Sequence, residues 1–223
     1  MKPQTKRKIT FLIGFLGYFS TIWYLWDTPA VYPLKVFVVL LHEISHGMTS
    51  IATGGTIERI VLDPNQGGAC YCGGGNAFLT LSAGYLGSLA WGGLLVSAGQ
   101  MKRINSRWVT AAVGLLVMAL TLAYVRSVFG FWFGLAFGAV LLLGALRLSA
   151  AINQGILLTL GLTSCLYAIL DIKSDVLDRP ELQSDAAMLG DLTGINTVVW
   201  GGLWITIAVI ASAWLLHWSY RRA

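Results

Sequence analysis

His42 and His46 stand four residues apart, with Glu43 directly after the first, in the run Leu41-His42-Glu43-Ile44-Ser45-His46-Gly47. On a helix, a four-residue spacing stacks two side chains on one face. Two imidazoles placed so can give two nitrogens to a tetrahedral Zn²⁺ at about 2.0–2.1 Å each. Glu43, on the flank of that face, can reach a water beside the metal and take its proton. The same five-residue pattern turns up by chance in soluble proteins as ordinary surface residues. Here it lies inside an apolar run, where ionisable side chains are costly and a function is the default reading. The pattern reads as a metal site with Glu43 as its base.

A catalytic zinc takes three protein ligands and keeps a fourth position open. Asp171 ends the apolar run Leu166-Tyr167-Ala168-Ile169-Leu170 and is the expected third ligand, completing a His₂Asp set with His42 and His46. Asp63, in Leu62-Asp63-Pro64-Asn65, is the runner-up, although its turn context accounts for it without a metal. Asp175 and Asp185 rank below both. Cys70 and Cys72 form a lone Cys-x-Cys pair, and with Cys165 the three cysteines make no disulfide framework. His217, between Leu216 and Trp218, reads as an interfacial residue rather than a ligand.

Membrane helices have to hold these groups. The 223 residues are 56% hydrophobic and only 11% charged, with 26 Gly and nine Trp. Soluble domains carry about 25% charged residues, whereas a membrane span needs about 20 mostly apolar ones. The expected fold is an all-α polytopic membrane protein with six to seven transmembrane helices, forming one membrane domain over residues 1–223. The spans fall near 9–26, 33–53, 77–99, two within 108–148, 152–170 and 197–217. The first apolar run follows a basic stretch, as in a signal peptide. It is longer than a signal core and ends in Trp23, Tyr24 and Trp26, so it reads as a retained span.

Between the second and third spans, residues 56–76 carry two short strand-like runs around Asp63-Pro64-Asn65 and several glycines. This segment reads as a β-hairpin or re-entrant loop. Residues 171–196 form a polar, acid-rich loop. The net charge of +5 gathers at segment ends (Lys6, Arg7, Lys8; Lys102, Arg103, Arg107; Arg221, Arg222), which fits contact with a lipid bilayer and argues against nucleic acid as a partner. Seven spans would place the cluster at residues 2–8 on the side opposite loop 100–107 and Arg221-Arg222, against the positive-inside rule. His42 lies nine residues after Pro33, about 13 Å along a helix, and His46 a similar distance before Gly54-Gly55. That spacing puts the metal site near the bilayer midplane.

The motif around His42, the Gly-rich hairpin that follows and the later Leu170-Asp171-Ile172 resemble the site-2 protease family of intramembrane zinc metallopeptidases, in a compact form without a PDZ domain. Thr53-Gly54-Gly55, Asp63-Pro64-Asn65-x-Gly67-Gly68 and Ala83-Gly84-Tyr85-Leu86-Gly87-Ser88 add looser likeness over residues 35–180. The family's aspartate usually stands in Leu-Asp-Gly; here Ile172 replaces the glycine. The resemblance implies one zinc per chain on His42, His46 and Asp171, with Glu43 as the catalytic residue. It also implies membrane-protein or peptide substrates cut in or near the bilayer. The alternative is a non-proteolytic scaffold or transport component with a structural metal. Beside the site, the 56–76 hairpin is expected to hold an extended substrate by strand addition, with Ile60 and Val61 as the residues to test.

Overall fold

The computed structural model describes residues 3–101, 103–179 and 182–222. Among them the chain order is α1 (Pro3–Tyr24), α2 (Tyr32–Ala52), β1 (Thr56–Leu62), β2 (Gly68–Gly73), α3 (Ala77–Gln100), α4 (Ser106–Tyr124), α5 (Val128–Arg147), α6 (Ala150–Lys173), α7 (Asp185–Thr193) and α8 (Thr197–Arg222). A single π turn, Ser174–Asp178, extends α6. Five of these helices, α3, α4, α5, α6 with its extension, and α8, are long and apolar enough to cross a membrane. The protein is an integral, multi-pass membrane protein.

The expected six to seven also count α1 and α2, whose charges keep them out of this set by composition. α2 is 21 residues long but carries Lys35, His42, Glu43 and His46. α1 carries the basic run 6–8 in its first turns. Side-chain caps start three of the helices. Asn76, Asn105 and Ser149 each accept a backbone N–H in the first turn of α3, α4 and α6. Arg126, a charge in the middle of the long apolar stretch 108–148, marks the turn between α4 and α5. Its guanidinium donates to the carbonyls of Leu122, Ala123 and Val125 that α4 leaves unpaired at its end.

Contacts between helix ends resolve the conflict over orientation. Gln100 Nε2 donates to Ser219 Oγ at 2.6 Å, Ser106 Oγ to the Ala150 carbonyl at 2.6 Å, and Arg107 to the carbonyls of Ala145 and Leu146 at 2.8 and 2.7 Å. Lys8 Nζ lies 5.0 Å from the centre of the Tyr220 ring. The start of α1, the end of α3, the start of α4, the end of α5, the start of α6 and the end of α8 therefore meet at one end of the bundle. The basic segments the positive-inside rule set against one another share that end. α2 and the hairpin connect the far end of α1 to the start of α3 and add no net crossing. Lys102 and the side chains of Lys6 and Arg7 lie outside the described residues.

Lipid is as apolar as leucine, so close packing rather than hydrophobic burial holds membrane helices together. α3 and α6 meet at Gly92 and Gly161, where a Cβ on either would come within 2.7–2.8 Å of the other's carbonyl oxygen. α4 and α5 close in the same way, a Cβ at Gly114 or Gly138 falling 2.8 Å from the other's carbonyl oxygen. α2 runs through the middle, with Val36, Phe37, Val38, Leu40, Leu41 and Ile44 buried. Phe37 stacks on Phe137 of α5, with ring centres 4.8 Å apart.

The expected hairpin forms, antiparallel, pairing Ile60 with Cys70 and Leu62 with Gly68, with an irregularity between Ile57 and Arg59. Its outer strand is occupied. The α4–α5 turn bridges Ile60 through Val125, Arg126 N donates to Ile60 O at 2.9 Å, and Ser127 Oγ accepts from Leu62 N at 2.9 Å. Both strands pack on α2, β1 through Ile57 against Gly47 and β2 through Gly68 against Val39 and Glu43.

Candidate metal centre

α2 brings His42 and His46 onto one face, as the spacing predicts. Their Nε2 atoms converge on a single oxygen, Oδ2 of Asp185, at 2.9 and 3.1 Å. The three side chains are nearly buried, 12%, 8% and 11% exposed. Their donor atoms all lie within 4.8 Å of one another, and together they form a group able to hold a metal ion. Ligand atoms around a four-coordinate zinc lie about 3.3 Å or slightly more apart, so the two nitrogen–oxygen separations fall a few tenths of an ångström short of that spacing.

Space for the imidazoles comes from α3. A Cβ at Gly84 would collide with His42 Nε2 and stand 2.5 Å from His46 Nε2. A Cβ at Gly87 would collide with Ser45 Oγ, the hydroxyl that accepts a hydrogen bond from Trp91 Nε1 at 3.2 Å. The Gly84-x-x-Gly87 spacing is thus what lets α3 lie directly over the histidine face.

Each imidazole is oriented from behind. His46 Nδ1 is 2.6 Å from the Thr80 carbonyl oxygen. A carbonyl only accepts, so Nδ1 carries the proton and Nε2 presents its lone pair to the cluster. His42 Nδ1 faces Asp171 Oδ2 at 3.8 Å, beyond hydrogen-bond length. The His42 ring also stands edge-on to Tyr85, with centres 5.0 Å apart. Tyr85 in turn donates to Asp175 Oδ2 at 2.8 Å, and Arg179 Nη2 reaches Asp175 Oδ1 at 3.0 Å.

For the third donor the geometry therefore favours Asp185 over the expected Asp171. Asp171 approaches the far nitrogen of His42, and Asp185 the two nitrogens that point inward. Asp185 opens α7, which Ser184 caps by accepting from Ala187 N at 3.3 Å. Ala186 and Leu189 seat α7 against Tyr85, Ile172, Val176 and Trp204. Burial alone would raise the Asp185 carboxyl, but the imidazoles of His46 and His42 outweigh it and hold the group below the usual carboxylate range. Nothing in the sequence separates Asp185 from the other aspartates of the acid-rich segment. The only local hint is a short helix signal, Ser184 as a cap and Gly194 as a left-handed stop.

Glu43 is buried beneath β2. A Cβ on Gly68 would come within 2.6 Å of Glu43 Oε1, and the backbone N–H of Cys70 donates to the carboxylate. Glu43 lines the same cavity as His42, His46 and Asp185, a space of about 670 Å³ between α2, β2, α6 and α7.

The remaining candidates do other work. Asp63 Oδ1 accepts from Asn65 N at 2.7 Å and stabilises the hairpin turn. Cys70 and Cys72 point their thiols at each other, 2.8 Å apart, and burial, with Cys72 beside it, pushes the Cys70 thiol up. His217 is exposed on α8. The expected midplane depth is counted along α2 alone. Thr80 lies in the first turn of α3 and Asp171 in the last turn of α6, so the site sits towards one end of the spanning helices. α2 itself is not among the five helices long and apolar enough to cross a membrane.

Fold and site together define a multi-pass helical membrane protein built around a buried His-His-Asp group with a glutamate beside it. The chain belongs to the Peptidase M50B-like family, whose profile matches residues 15–215. Membership places it in a family of membrane metalloproteases. No curated protein and no solved structure matches the chain.

Proposed function

We propose that this protein is an intramembrane zinc protease that hydrolyses peptide bonds of membrane-protein substrates. The convergence of His42 Nε2 and His46 Nε2 on one Asp185 oxygen, with Glu43 on the next position of the helix, carries the reading. His42, His46 and Asp185 would hold the zinc, and a bound zinc would acidify a water and polarise the scissile carbonyl. Glu43 takes the proton from the attacking water and passes it to the leaving amine nitrogen. Its burial keeps bulk water from competing for that proton. Asp171, facing the outer nitrogen of His42, steadies the imidazole and the positive charge it shares with the metal. Gly68 and Cys70 of β2 line the cavity, so an extended substrate would pair with β2 rather than with β1, whose edge the α4–α5 turn occupies.

Zinc content and cleavage of a membrane-protein substrate, measured together in detergent-purified protein, test the proposal. His46→Ala and Asp185→Ala should lose the metal and all activity. Glu43→Gln should keep about one zinc per chain while activity falls by about 10²–10⁴-fold. Full activity in Glu43→Gln would leave the scaffold reading, in which the metal is structural and needs no base.

A further inference from the structure

We propose that Lys35 is a specificity residue, binding a substrate carboxylate about three residues from the scissile bond. The inference rests on the protease reading above and adds a substrate preference to it.

Lys35 is 5% exposed, although it lies in a helix of a membrane protein. A buried ammonium in such a place is costly and calls for an anionic partner. Its present partners are poor ones. Asp27 Oδ1 is 3.3 Å away, but the Asp27 side chain is 93% exposed, so water weakens the pair. The Trp26 ring, 4.5 Å from Nζ, stabilises the charge without using its three N–H donors.

Position gives this lysine its meaning. Lys35 lines the same cavity as His42, Glu43 and His46. It stands seven residues before His42, two turns back on the same helical face and about 10 Å along the axis. β2 runs beside α2 in the same direction. Gly68 packs on Val39 and Glu43, Cys70 Sγ would be 3.5 Å from a Cβ on Gly47, and Gly73 O 2.8 Å from one on Gly55. A substrate strand laid along β2 therefore follows the α2 axis. An extended chain rises about 3.3 Å per residue, so 10 Å corresponds to about three residues.

Charge along the cavity is uneven. The metal end holds Glu43, Asp171, Asp175 and Asp185, while Lys35 stands at the other. Arg179, also on the lining, is already tied to Asp175 at 3.0 Å. A substrate carboxylate is drawn to Lys35, which fixes the register of the chain over the metal. A side-chain carboxylate and a free C-terminus share this chemistry.

The test uses the full, zinc-loaded protein in detergent and a randomised peptide library, prepared with free and with amidated C-termini and read by mass spectrometry. Wild type should enrich Asp and Glu about three residues to one side of the cut. If instead cuts cluster about three residues from the end in free-acid peptides alone, the C-terminus is the carboxylate. Lys35→Gln, with its zinc retained as proof of folding, should abolish the enrichment and raise KM for acidic peptides about tenfold, with a smaller change in kcat. Lys35→Arg should restore most of the preference. Cleavage without an acidic preference, or a preference that survives Lys35→Gln, overturns the proposal and leaves the protease reading standing. No cleavage above a Glu43→Gln control removes both.

Discussion

The α4–α5 pair and the α2–α3–α6 group use glycine in the same way for different ends. Between α4 and α5, Gly114 and Gly138 bring backbone against backbone, and the gain is packing alone. Between α2 and α3, Gly84 brings backbone against two imidazoles, and the gain is a space in which both can turn towards Asp185. The first region would serve any membrane protein. The second gathers Lys35, Glu43 and His46, all buried, with His42 and Asp171 nearly so, a concentration that lipid-facing helices do not tolerate without a function. The same small residue is thus structural in one helix pair and part of the site in the other.

Substitution separates the two roles. Gly84→Ala should eliminate zinc binding and cleavage, because its methyl group would occupy the space of both Nε2 atoms; metal analysis of the purified variant checks this. Gly138→Ala should keep the zinc and lower stability by about 1–3 kcal/mol, read by thermal unfolding in detergent. Equal zinc content in the two variants would erase the distinction. A smaller effect is expected behind the imidazole. Asp171→Asn should retain the metal but weaken its affinity by about 10–100-fold, as measured by competition with a chelator. Complete loss of zinc there would make Asp171 a ligand after all. The last prediction leaves activity untouched. Reporter fusions at the N-terminus, at loop 100–107 and at the C-terminus should all report the cytoplasmic side, because the basic ends of α1, α3, α4 and α8 share one end of the bundle.

The helical elements were legible because each carries its own signal. Apolar length marks the spans, and Arg126 marks the α4–α5 turn. The hairpin was legible from its turn residues and glycines. Span number and depth were less so. α2 reads as a span by its boundaries, Pro33 and Gly54-Gly55, and only its neighbours reveal that it adds no net crossing and holds the site towards one end of α3 and α6. Strand order in the hairpin was visible, but which edge is free was not, since the α4–α5 turn that covers β1 lies some 65 residues further along the chain.

By itself the sequence determined a membrane protein, a helix carrying His42, Glu43 and His46 on and beside one face, and the hairpin that follows. These depend on residues close along the chain, where helical and strand periodicity fix who faces whom. Tertiary structure alone decided that Asp185 meets the two inward nitrogens, that Asp171 stands behind His42, that Gly84 clears the space between them and that Lys35 shares their cavity. A donor set of this kind is chosen by how α7 folds back on α3 and α6. Several aspartates with the same chemistry compete for the position, and only packing of Ala186 and Leu189 into the bundle selects among them.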